Sequence, residues 1–224
     1  MFSRIASNYD LANRLMTLGM DQGWRKRTAQ VTLAHGASEP RVLDVGTGTG
    51  DQAMMISTLN PRARIVGIDY TTEMMDLAAT KMHRADNLFD LRLVNGDSLA
   101  LPFPENTFDG ICSAFVLRNL TSLDGAFTEM ARVAKPNSPI VALEITWPRH
   151  PVWRALFRLY FFRVAPLLGG VVSGDLAAYR YLPYSLSIFV SADELAEIME
   201  RAGIRNVQCI RLNLGSMAIH FGIK

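Results

Sequence analysis

Apolar positions recur along this chain in two rhythms, and the change between them divides it. Ile5, Tyr9, Leu11, Leu15 and Leu18 fall at roughly helical spacing, Gly19 interrupts, and Trp24 to Ala34 resumes. The first forty residues (1–40) therefore read as a helical cover. From Arg41 the pattern shortens. Val42-Leu43-Asp44-Val45 predicts a strand, and Gln52 to Leu59 a helix ended by Asn60-Pro61. Arg64 to Asp69, Leu91 to Val94, Phe108 to Leu117 and Ile140 to Ile145 predict further strands. Thr72 to Arg84 and Ser122 to Ala134 predict the helices between them. Strands and helices alternating at this spacing make a parallel, doubly wound α/β sheet.

After Trp147 the regularity breaks. Residues 147–190 are rich in aromatic side chains and read as a helical lid inserted into the rhythm of the sheet. Ser191-Ala192-Asp193-Glu194 then opens a helix with a capping-box pattern, and Gly203 closes it. Asn206 to Leu212 and Met217 to Ile223 flank Asn213-Leu214-Gly215-Ser216 and predict an antiparallel hairpin. The expectation is one α/β domain over residues 1–224, a seven-stranded Rossmann-like sheet, mostly parallel, closed by that antiparallel hairpin.

Composition narrows the partners. Hydrophobic residues make up 49% of the chain, charged residues 20%, and the net charge is +2, a soluble balance without the clustered basic excess of a nucleic-acid binder. The two cysteines, Cys112 and Cys209, sit in apolar runs and read as buried free thiols of a reducing, cytoplasmic compartment rather than metal or redox groups. Met1-Phe2-Ser3-Arg4 does not open a signal peptide. The apolar stretch 151–172 contains Arg154, Arg158, Arg163, Pro166 and Gly169-Gly170. Each central arginine costs about 2.5–3.5 kcal/mol in a bilayer, which excludes a spanning helix and leaves peripheral contact with the inner face of a membrane.

Chemistry enters at Asp44-Val45-Gly46-Thr47-Gly48-Thr49-Gly50-Asp51. Alternating glycines directly after a strand let the backbone turn sharply and bring its amides close to a ligand. Asp69, ending the second strand, is placed to accept hydrogen bonds from ribose hydroxyls, with Tyr70 beside it. The dinucleotide fingerprint G-x-G-x-x-G is the alternative, but this loop is G-x-G-x-G between two acids. Asp44 and Asp51 would repel a pyrophosphate and suit the ammonium and sulfonium charges of S-adenosylmethionine. Asp97-Ser98, after the third strand, is the natural meeting point for the adenine amino group.

Leu101-Pro102-Phe103-Pro104-Glu105-Asn106-Thr107-Phe108-Asp109 and Phe115-Val116-Leu117-Arg118-Asn119-Leu120 make the pattern more specific. With the opening Met1 to Ala6, Trp24-Arg25, Arg132-Val133, Leu143-Glu144, Tyr179 to Leu182 and Ala218-Ile219-His220, they resemble the ubiquinone/menaquinone biosynthesis C-methyltransferase family nearly end to end. The resemblance implies methylation of a ring carbon on a polyprenylated quinol. It carries cofactor contacts onto Thr49, Asp69, Asp97 and Ser98, and the catalytic neighbourhood onto Arg118 and Asn119, with Tyr9 near the ring. Val116 departs from the family's F-G-L-R-N motif, Ala114 stands where a small hydroxyl residue is common, and Asn137-Ser138 replace a glycine pair. Asparagine tolerates a left-handed turn, whereas Val116 is expected to narrow the pocket or shift its substrate.

In such a reaction Arg118 stabilises a phenolate by a charge-assisted hydrogen bond and Asn119 orients the ring oxygen. Arginine stays protonated, so water or another side chain must take the proton, and Tyr9, Asp10 and His220 are the candidates. Trp153, Leu156, Phe157, Leu159, Tyr160, Phe161 and Phe162 read either as cover for the prenyl tail, with a membrane or homodimer face, or as ordinary core. Trp24-Arg25-Lys26-Arg27 reads as a solvated helix face or a headgroup contact. Met54, Met55, Met74 and Met75 read as core filler.

Overall fold

The computed structural model describes residues 9–84, 90–173 and 176–224, with the side chains of Tyr9 and of residues 172–181 outside that description. The opening segment 1–8, the expected role of the Tyr9 ring and the Tyr179-Arg180-Tyr181 block thus lie outside the described residues. Two helices, α1 (Tyr9–Thr17) and α2 (Asp21–Thr32), precede the sheet. There follow β1 (Arg41–Val45), α3 (Asp51–Leu59), β2 (Arg64–Asp69), α4 (Thr72–Arg84), β3 (Leu91–Asn95), β4 (Gly110–Ala114), α5 (Leu123–Val133) and β5 (Pro139–Ile145). Three helices form the insertion: α6 (Pro151–Leu159), running through a π-turn at Tyr160–Val164 into α7 (Ala165–Ser173), and then α8 (Leu176–Ser187). α9 (Ala192–Arg201), β6 (Arg205–Leu212) and β7 (Met217–Ile223) close the chain.

The seven strands lie in the order β3-β2-β1-β4-β5-β7-β6. β1 to β5 pair in parallel, while β7 runs antiparallel to both β5 and β6. Successive side chains of a strand point to opposite faces, so β1 sends Leu43 and Val45 to one core cluster and Val42 to the other. The first cluster packs under Phe127 and Met130 of α5 and Leu195 and Met199 of α9. The second packs under Trp24 and Ala29 of α2 and Ala53 and Ile56 of α3. Every residue of β4 and β5 is buried, as a parallel sheet covered on both faces requires.

The expected capping box is present. The Ser191 hydroxyl accepts from the Glu194 amide and the Glu194 carboxylate accepts from the Ser191 amide. Asn137 takes φ +63°, so the substituted turn keeps its left-handed shape. Two expectations are corrected. The fourth strand does not run from Phe108 to Leu117, because Phe115 adopts φ +66° and ends the pairing before a 3-10 turn at Leu117–Asn119. Cys209 is exposed rather than buried, because it lies on β6, the outermost strand.

Candidate functional site

The strand order reverses between β1 and β4, and their carboxyl ends open into adjacent loops, the position where doubly wound sheets bind ligands. Gly46 (φ +70°) and Gly48 (φ +54°) take left-handed backbone, and a β-carbon on Gly46 would stand 2.3 Å from Cγ2 of Val116. The amides of Gly46 and Thr47 both donate to the Ile68 carbonyl, fixing the loop to β2. Asp69 completes the cradle, its two carboxylate oxygens each accepting at 2.8 Å, one from Gly48 N–H and one from Thr71 N–H.

A cleft of about 440 Å³ lies over this loop. Gly46, Thr47, Gly48, Thr49 and Asp51 form one side, and Asp69, Tyr70, Asp97 and Ser98 the other. Tyr70 is 81% exposed and stands at the rim. Asp97 accepts from the Leu99 amide at 2.9 Å and Ser98 is buried. Asn119 and Val116 enter from the loop after β4, and Asn119 Oδ1 is buried without a hydrogen-bond partner.

Asp44 sits beneath the cleft rather than on its wall, only 1% exposed. It accepts from the Thr47 hydroxyl at 2.7 Å and from the Cys112 thiol at 3.6 Å. Burial raises its pKa to about 6, against the opposing Thr47 hydrogen bond and the Arg25 charge. The same burial, with Asp44 alongside, pushes the Cys112 thiol well up, so that thiol is unreactive. Thr49 and Asp51 belong to a further network. Lys81 of α4 ion-pairs with Asp10 of α1 and with Asp51 at 2.6 Å, and Thr49 Oγ1 donates to Asp10 at 2.7 Å. Helix α1 is thereby tied to the loop through its first turn.

A second cavity, about 200 Å³, lies between α1, α2, the π-turn and the carboxyl end of β5. Arg118 is on its wall, 2.8 Å from Glu144, in an ion pair whose side chains are 6% and 1% exposed. Phe115 and Arg25 line both cavities and so form the partition between them. The Arg25 guanidinium lies over the Phe115 ring at 5.2 Å, and Trp24 meets the same ring edge-on at 6.4 Å. Apolar cover comes from Met16, Met20, Phe157, Phe161 and Met217. Tyr160 donates from its hydroxyl to the Met16 carbonyl at 2.5 Å, and burial raises the pKa of that phenol.

Nine of the ten expected cofactor-binding residues therefore converge on one cleft, and the tenth, Asp44, lies beneath it. The Arg118-Asn119 pair is split, Asn119 facing the larger cleft and Arg118 the smaller cavity. Asp10 is committed to Lys81 and Thr49. His220 is buried on β7 away from both cavities; its Nε2–H donates to the Ala192 carbonyl and burial lowers its pKa. The 24–27 run is neither a solvated face nor a headgroup contact at its first two residues. Trp24 is buried, with its indole N–H on Asn213 Oδ1, and Arg25 faces the cavities, while Lys26 and Arg27 are exposed. Met74 and Met75 are buried, Met74 on the floor of the cleft, and Met54 and Met55 are half-buried. Arg25, Glu144 and Lys81 were not expected as site residues, although Trp24-Arg25 and Leu143-Glu144 are among the blocks that carry the family resemblance.

A model of the ubiE/COQ5 methyltransferase family matches residues 1–224. A demethylmenaquinone methyltransferase of Roseiflexus castenholzii is 45% identical over 224 residues, covering 100% of this chain and 92% of that protein. The ubiquinone/menaquinone biosynthesis C-methyltransferase UbiE of Syntrophotalea carbinolica is 37% identical, again over 100% of this chain and 92% of its own. Among solved structures, a SAM-dependent methyltransferase from Aquifex aeolicus superposes with TM-score 0.61 at 23% identity over 87% of each chain, which shows the shared fold.

Proposed function

The chain belongs to the ubiE/COQ5 methyltransferase family, and we propose that it methylates a ring carbon of a polyprenylated quinol, demethylmenaquinol foremost, using S-adenosylmethionine. The observation that carries this reading is the pair of cavities meeting at Phe115 and Arg25. The larger carries three carboxylates, Asp51, Asp69 and Asp97, on its wall and the smaller is the more apolar of the two, as a cationic donor and a greasy ring would require. The larger cleft fits the donor: the bare Gly46-Gly48 backbone admits close approach, Asp69 is fixed on the wall by two backbone amides and would accept from ribose hydroxyls, and Asp44 places negative charge below. Asp97 and Ser98 would hold the adenine end, and Thr47, Thr49 and Asp51 the amino-acid end. When bound there, S-adenosylmethionine supplies an electrophilic methyl group.

The chain's own residues then place the acceptor. Arg118, held by Glu144, offers its remaining N–H groups to an oxygen of the quinol ring and favours its ionised form. Asn119, which lines the larger cleft with its buried amide oxygen unpartnered, faces the donor's side of the partition rather than the ring. Phe115, fixed by Trp24 and Arg25, aligns the two reactants and excludes water, and alignment of this kind supplies much of such a rate. The test is transfer of label from methyl-labelled donor to demethylmenaquinol in detergent. Label recovered in the quinol supports the proposal, and donor binding without transfer overturns it.

A second observation concerns access for the tail. No residue of α6 is buried, and Val152, Trp153, Leu156 and Leu159 lie exposed beside Leu167, Leu168 and Val171 of α7. Arg154, Arg158 and Arg163 are exposed among them. Among the described residues no helix is long and apolar enough to cross a membrane. This face suits shallow insertion among anionic headgroups, next to the cavity that Phe157 and Tyr160 line. The same surface would also be the dimer face, but pairing copies there brings like charges together. Co-sedimentation with phosphatidylglycerol vesicles, abolished in a Trp153→Ser/Leu156→Ser variant, is the expected result. Equal binding by the variant would contradict it.

A further inference from the structure

Methylation at carbon needs a group that accepts the phenolic proton; of the three expected candidates, Asp10 and His220 are engaged elsewhere and the Tyr9 side chain lies outside the described residues. Asp10 pairs with Lys81 beside the donor loop, and His220 is enclosed under α9. Glu144 stands behind Arg118, off the cavity wall, and the Tyr160 hydroxyl is bound to the Met16 carbonyl. Among the described residues, Asp21 is the one carboxylate that lines the smaller cavity. It opens α2 and is 5% exposed. Helix-capping alone would be served by an exposed carboxylate, so its burial in this wall calls for another reason.

We propose that Asp21 is the general base of the reaction, an assignment that rests on the quinol reading above. Its oxygens are placed but not saturated. Oδ1 accepts from the Thr17 hydroxyl at 2.9 Å and Oδ2 from the Gln22 amide at 3.1 Å, leaving lone pairs on both. Arg25 Nε stands 3.9 Å from Oδ2, too far for a hydrogen bond, and is itself buried without a partner. The charged and titratable groups on this cavity are Arg25 from the same helix, Arg118 with Glu144 behind it from the sheet edge, and Tyr160 from the π-turn. The two arginines that line the same cavity hold the phenolate once it forms. The quinol O–H proton passes to Asp21. The ring carbon then bonds to the methyl carbon as the S–CH3 bond breaks, its electron pair remaining on sulfur. The ring C–H proton leaves to water while the proton on Asp21 returns to the ring oxygen, restoring the quinol with net release of one proton.

The experiment compares wild type, Asp21→Asn and Asp21→Glu in single-turnover transfer to demethylmenaquinol from pH 5 to 10, with donor affinity measured for each. Asp21→Asn is expected to slow transfer by roughly 10²–10⁴-fold with donor affinity unchanged. The wild-type rate is expected to be level near neutral pH, whereas the Asn variant climbs toward the phenol's own pKa of about 10. Asp21→Glu should recover part of the rate and the level region. A wild type that transfers while Asp21→Asn stays within threefold overturns the base assignment alone, as does a slowed variant that keeps the wild-type pH profile. A wild type that binds donor but transfers nothing overturns the quinol reading.

Discussion

Gly46 and Val116 meet where a side chain is missing: a β-carbon on Gly46 would lie 2.3 Å from Cγ2 and 2.5 Å from Cγ1 of Val116. The loop after β1 and the loop after β4 are thus in mutual contact, and Val116 lines the larger cleft rather than the smaller cavity.

Gly46→Ala should therefore raise the donor Kd at least about a hundredfold, because the clash cannot relax without moving Val116. Gly46→Ala with Val116→Gly should recover part of the affinity. Recovery stays incomplete because alanine at φ +70° still costs about 1–2 kcal/mol. Titration calorimetry reads both, and a double variant no better than the single one would exclude the contact as the cause.

Glu144, itself buried, neutralises Arg118 on the wall of the smaller cavity. Glu144→Gln leaves a buried guanidinium without its counter-charge, a change that costs about 3–5 kcal/mol where measured. Denaturant unfolding should show that loss together with slowed transfer. Arg118→Lys should retain the charge but lose the planar fork, with a fall in turnover larger than any change in donor affinity. Full turnover in Arg118→Ala would remove Arg118 from the mechanism.

Lys81 joins Asp10 of α1 to Asp51 of α3. Lys81→Met should set the two carboxylates against each other and release α1 from the loop. Donor affinity is expected to fall about tenfold, roughly 1.4 kcal/mol, with faster proteolysis within α1. Unchanged protection of α1 would contradict the clamp.

Asp44 has its pKa raised by burial to about 6, above the ordinary 3.8. Its contribution to stability is therefore fully present below pH 3.8, where both states are protonated, and is lost as the pH rises through about 6. At neutral pH the buried charge opposes folding by up to about 3 kcal/mol. A cationic donor above it favours the ionised form, so donor affinity should weaken as pH falls from 7 to 5. Asp44→Asn should flatten both dependences, and an unaltered pH profile in that variant would place the titration elsewhere.

The larger cleft was legible because its parts are local. A strand, a glycine loop and an acid at the next strand end lie within Asp44 to Asp69, and backbone geometry alone brings them together. The smaller cavity was less so. Arg25 stands beside Phe115 only because α2 packs across the sheet, and Asp21 joins Arg118 on one wall for the same reason. Spacing within α2 shows that Asp21 and Arg25 share a face, but not what that face meets. The β4 boundary was misplaced for a related reason. Phe115-Val116-Leu117 continues an apolar run, yet a left-handed turn at Phe115 directs it out of the sheet to form the partition.

Methyl transfer to a ring carbon where the two cavities meet, at Phe115 and Arg25, is read by incubating the protein with 13C-methyl donor and demethylmenaquinol and taking the NMR spectrum of the product. One labelled methyl group on a ring carbon is expected, with both ring oxygens unmethylated. A labelled methyl ether, or a quinol that remains unlabelled while donor is bound, would contradict it.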